Sequence, residues 1–144
     1  MPEWTDKERT SFLATASARL LSSGITSVGD AAVDPPSIDF FKAQDEQGKL
    51  PLRIYTMMDC SAAQAEKTGC LDRVPFVPEK SGGRLTARAI KLFADGALGS
   101  WGSAMWDPYE DKPHESGLLL MPEEEIEPTI RGWMDKGFQV AVRE

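Results

Sequence analysis

Between Thr5 and Gly24 apolar residues recur at helical spacing, with Phe12, Leu13, Ala16, Leu20 and Leu21 on one face. Thr5 and Glu8 form the capping-box pattern at the start, and Gly24 stands just past the end, where helices often stop. The period then shortens. Residues 25–30 (ITSVGD) read as a strand ending in a turn-former, and Asp34-Pro35-Pro36 reads as a break. Ser37 can cap a helix running to about Gln47 and closed by Gly48; residues 52–58 (LRIYTMM) read as the next strand. A short helix is expected over 61–68 and a proline- and glycine-punctuated loop over 75–83. Residues 89–95 (AIKLFAD) form the third expected strand, followed by a loop from Gly96 to about Leu120 that exceeds the usual connection length. Pro122 opens a last helix with an acidic first turn, which Pro128 should kink or shorten and Gly137 should end. Residues 138–144 (FQVAVRE) begin a fourth strand.

Strands alternating with helices imply βαβ units and an α/β fold with a parallel sheet. Two architectures fit: a small doubly wound sheet, or about four consecutive units of a (β/α)₈ TIM barrel. Strand ends favour the barrel. Asp30, Met58, Asp95 and the 96–103 loop all fall at carboxyl ends, the face where barrel enzymes place their chemistry. A doubly wound domain binds ligands at the same edge, but no GxGxxG or GxxxxGK[ST] phosphate cradle follows any strand.

Composition narrows the function classes. A chain of 144 residues with 41% hydrophobic content is an ordinary soluble domain. Sixteen basic against 23 acidic residues give net −7, which argues against nucleic acid or an anionic membrane as partner. No apolar run reaches spanning length and the first residues lack a signal-peptide pattern, so the expected location is cytoplasmic. Cys60 and Cys70 fit no common zinc spacing and are expected as unpaired thiols.

The candidate chemistry lies in residues 89–105 (AIKLFADGALGSWGSAM). Strand alternation places Lys91, Phe93 and Asp95 on one face and Ile90, Leu92 and Ala94 on the other. An aliphatic face suits packing under helices. A face with a lysine and a terminal aspartate suits a site, because lysine is rarely buried without a partner. Asp95-Gly96 reads either as a turn ending the strand or as a carboxylate orienting the lysine, and Ser100 and Trp101 follow where a substrate mouth would lie. Trp101 and Trp106 otherwise read as packing over the strand ends, Asp30 as a cap or turn residue, and His114 as an exposed loop residue.

The segments GITSVGDA (24–31), LPLRIYTMM (50–58), IKLFADGALGSWGSAM (90–105), SGLLLMPEEEI (116–126) and GFQVAV (137–142) resemble amidohydrolase family 3, the YtcJ-like metal-dependent hydrolases related to N-substituted formamide deformylase. The resemblance implies a (β/α)₈ barrel carrying a small β-sandwich, with one or two divalent metals, zinc foremost, activating a water that attacks an amide-like C–N bond. It further implies that 1–144 is part of the catalytic domain without the sandwich and remaining strands, since a barrel needs ~250 residues. Lys91 matches a family lysine that CO₂ can carboxylate to bridge two metals. The family histidines have no match, and arginine stands at 143 where the resemblance implies a histidine. In this chain, therefore, Lys91 reads as an unmodified amine reaching water or pairing with Asp95 or Asp30. The expectation is a family member that is inactive alone and binds no metal alone. It would self-associate through open sheet edges, and its family partner is a small amide-like substrate. The alternatives are a non-catalytic remnant or a small doubly wound binding module.

Overall fold

The computed structural model describes residues 4–60, 77–78 and 83–143. The helix expected over 61–68 and Cys70 lie outside the described residues, as does most of the 75–83 loop.

Helix α1 (Asp6–Ser22) begins at the reciprocal Thr5–Glu8 capping box. Its inward stripe is Leu13, Ser17 and Leu20, while Phe12 turns outward against Trp4 in an edge-to-face pair with centroids 4.8 Å apart. Strand β1 (Ser27–Val33) runs three residues past the expected end, because a bulge at Ala32 (φ 67°) lets pairing resume at Val33. The Asp34-Pro35-Pro36 break is a helix start instead. Asp34 accepts from the Ser37 amide, and the prolines occupy the first positions of α2 (Pro35–Glu46), where their missing N–H costs nothing. Strand β2 (Arg53–Asp59) lies one residue later than expected. Strand β3 (Leu85–Phe93) starts four residues earlier, and Val77, placed in a loop by sequence, forms an antiparallel bridge with Ala87. Helix α3 (Glu123–Asp135) continues through Pro128, and β4 (Gln139–Arg143) completes the described sheet. Burial of Trp133 and packing of Ile130 hold the helix beyond its proline.

All strand pairs are parallel and the order is β1-β2-β3-β4. That order has no switch point, which a doubly wound sheet requires. The described helices also pack on one face only. Ile38 of α2 and Trp133 of α3 share a core with Met58, Ala87, Ile90 and Leu92, while Leu13 and Leu20 of α1 meet Ile54, Leu85 and Val28. Consecutive parallel strands with helices on one side form a sector of a (β/α)₈ barrel.

The other face carries Tyr55 and Met57 of β2, Ala89, Lys91 and Phe93 of β3, and Gln139, Ala141 and Arg143 of β4, of which only the small Ala89 is fully buried. The Tyr55 hydroxyl donates to Gln139 Oε1 across β3. This is the side on which a barrel keeps its interior.

Cys60, expected as a free thiol, is disulfide-bonded. It sits buried at the carboxyl end of β2, with its amide donating to the Lys91 carbonyl at 3.3 Å. Among the described residues no helix is long and apolar enough to cross a membrane.

Candidate functional site

Lys91 stands where alternation places it, on the interior face near the end of β3, opposite Asp59 of β2 and Ala141 of β4. It pairs with neither Asp95 nor Asp30. Its Nζ lies 5.4 Å from the centroid of Phe93, two residues on along the same face. Phe93 is opposite Arg143, whose guanidinium carbon lies 4.5 Å from the same ring. One aromatic side chain thus carries two cations from adjacent strands. Asp30 is opposite Thr56, a fully buried residue on the helix side, so register turns it away from the face of Lys91. Burial pushes its carboxyl above the ordinary range.

Asp95 is 4% exposed and serves the loop. Its Oδ2 accepts from the Ser103 hydroxyl at 2.7 Å and from the Ala104 amide at 3.0 Å. The Ser103 bond is the largest influence holding this carboxyl below its ordinary value; the Ala104 amide and the positive charge of Arg143 add to it against desolvation. Arg143 Nη2 donates to the Asp95 carbonyl at 3.0 Å, tying β4 to the same junction. Among the described residues, Asp95 Oδ1 and Arg143 Nε are both buried without a hydrogen-bond partner.

The segment after Asp95 is built, not slack. Leu98–Ser100 forms a 3₁₀ turn closed by Trp101 in the left-handed region. Residues 118–121 return antiparallel, with the Leu118 amide bonding to the Gly102 carbonyl and the Leu120 amide to that of Ala94. Gly96, Gly102 and Gly117 allow these backbones to touch. A Cβ on Gly117 would fall on the Ser103 carbonyl, and one on Gly96 on that of Gly102. Among the described residues, the Ser100 hydroxyl donates only to the nearby Ala97 carbonyl. Trp101 donates to Asp111 at 3.1 Å and stacks under Lys112 at 4.3 Å, so it packs on its own loop. Trp106, expected to pack over the strand ends, is instead fully exposed, and His114 is an exposed loop residue as expected.

The structure thus brings together Lys91, Phe93 and Arg143 on the interior face, with Asp59 beside them and Asp95 behind. Ser100 and Trp101 belong to the loop. Sequence reading missed Asp59, one residue beyond its expected strand. It noted Arg143 only as a departure, because the register that seats the guanidinium on Phe93 spans two strands.

A family model described as "Amidohydrolase family" matches residues 1–143. YtcJ of Bacillus subtilis (strain 168), a protein named as an amidohydrolase, is 33% identical over 95 residues, 66% of this chain and 16% of that protein. Two solved structures titled as uncharacterised metal-dependent hydrolases superpose on 96% of the chain. One, from Pyrococcus horikoshii OT3, has a TM-score of 0.76 at 26% identity, and the other, from Pyrococcus furiosus, 0.75 at 29%. The chain spans 28% of each of those proteins.

Proposed function

Because this chain belongs to the amidohydrolase family, whose model covers residues 1–143, we propose that it is one sector of a metal-dependent amidohydrolase barrel. In the whole protein that barrel hydrolyses non-peptide C–N bonds of small amide-like substrates. The observation that carries this reading is the consecutive parallel order β1-β2-β3-β4 with its helices on one face. That arrangement aims the carboxyl ends of four strands, and the loop held by Asp95, at one mouth.

The divalent ion this reading implies, zinc in the first instance, does not fit the side chains described here. Metal-activated water needs several convergent ligands with an open position. Among the described residues no three His, Cys, Asp or Glu side chains converge. Asp95 Oδ2 is committed to Ser103 and Ala104, and Arg143 sets a fixed positive charge next to Lys91. No hydrolytic step is therefore assigned to these residues. Lys91 is an unmodified amine in this chain, and Asp95 is a positioning residue for the loop. The metal-binding and hydrolytic machinery belongs to the rest of the barrel.

The test is elemental analysis of the purified, dialysed chain. Well under one equivalent of zinc, manganese or iron per chain is expected. One tightly held equivalent would overturn the assignment and return catalysis to these residues.

A further inference from the structure

The two open edges of the described sheet complement each other. The four strands are parallel and adjacent in chain order, so β1 and β4 are the edges among the described residues. Register aligns one row across the interior face: Ala31 of β1, Met57 of β2, Ala89 of β3 and Gln139 of β4. Side chains along that row run small, large, small, large. A closed eight-stranded barrel fills its interior in this way, each layer taking four side chains from alternate strands. Met57 and Gln139 are two members of such a layer.

The row begins on a small residue at β1 and ends on a large one at β4. A further strand beside β4 continues the alternation only if it presents a small residue at this level. β1 does so, with Gly29 and Ala31 exposed on the interior face. A second copy turned by half a revolution about the barrel axis brings its β1 alongside β4, running parallel, and its β4 alongside β1. Four strands from each copy make the eight of a barrel, and no edge is left over. Lys91 and Arg143 stand beyond this row, toward the carboxyl ends, so their charges gather at the mouth and not in the closed layer.

We propose that the partner of the bare interior face is a second copy of this chain, and that two copies close one eight-stranded parallel barrel through two identical β4–β1 seams. A two-fold arrangement of this kind is closed, so association stops at the dimer instead of propagating. The proposal rests on the reading of the chain as a barrel sector. Metal retention, which tests that reading, and the mass of the assembly are separate measurements, and either can fail alone.

Light scattering coupled to size exclusion tests this by measuring mass over a range of loading concentrations. With rising concentration the mass should level at twice the 15.8 kDa of one chain. Gly29→Trp probes the interior at the seam. An added Cβ at Gly29 meets nothing within 4 Å, so a single copy accommodates the side chain, whereas a closed barrel would have to take two indoles into its packed interior. The dissociation constant should rise at least about tenfold, the scale of overpacking, with far-ultraviolet circular dichroism retained. Phe12→Ser, on the outward face of α1, should leave the dimer unchanged. A mass that stays at one chain, or that climbs past two without levelling, would overturn the proposal, as would a dimer that Gly29→Trp leaves intact or Phe12→Ser disperses. The mass of the unaltered chain decides the matter even where a variant loses its fold.

Discussion

Replacing Trp133 with alanine is expected to abolish the cooperative fold. Trp133 is 3% exposed and packs edge-to-face on Phe138, with ring centroids 5.6 Å apart, in the core that joins α3 to Ile90 and Leu92 of β3. Together with Ile130 it keeps α3 seated beyond Pro128. Truncating a buried tryptophan costs about 3–5 kcal/mol through lost burial and the cavity left behind. That is comparable with the whole stability of a small domain, about 5–15 kcal/mol. Urea denaturation followed by circular dichroism should show the transition lost or shifted to very low denaturant. Trp106→Ala is the control, since Trp106 is fully exposed and its loss should stay within about 0.5 kcal/mol.

The second large effect is at Gly117. Its φ of +70° is strained for any L-residue, by about 1–2 kcal/mol, and an added Cβ would strike the Ser103 carbonyl. Backbone is on both sides of that collision, so neither partner can swing away. Ser103 also donates to Asp95 and accepts from the Tyr109 hydroxyl. Gly117→Ala should therefore lower the melting temperature and speed amide exchange at Ala104 and Met105, whose N–H groups bond to Asp95 and Ser116. Gly132→Ala should do the opposite. Gly132 lies inside α3 with nothing within 4 Å of a new Cβ, so alanine should stabilise by about 0.5–1 kcal/mol. Equal effects at the two positions would mean that the 96–121 segment is not the close-packed structure described.

Local rules made part of the fold legible. The capping box of α1, the glycines after the helices and the aliphatic alternation of Ile90 and Leu92 are short-range signals, and each element lies where they place it. Errors arose where one residue breaks the period. The register of β3 skips Arg88, so the apolar phase before it is reversed relative to the phase after it, and the strand looks shorter than it is. Ala32 adopts a left-handed conformation with no glycine to announce it. Asp34-Pro35 carries the start signal of α2 in a form easily read as an interruption.

At the site, the face of Lys91 and Phe93 follows from alternation within one strand. Arg143 on Phe93, Asp59 opposite Lys91 and Ser103 on Asp95 depend on register between strands or on a loop without periodicity. Sequence spacing does not carry that information.

As consecutive members of a barrel, these strands expect neighbours on both sides. Among the described residues β1 and β4 are edge strands, and the interior face has no wall opposite it. Parallel sheets are rarely stable with a bare face, and unpaired strand edges recruit further strands. Phe93 is already partly shielded by Lys91 and Arg143, whereas the backbone edges have no such cover. Sedimentation velocity of the 144-residue chain over a wide concentration range is the most direct test. Self-association that grows with concentration is predicted despite a net charge of −7. A monodisperse monomer at every concentration would show that the strand edges recruit no neighbours and that the sheet is complete as it stands.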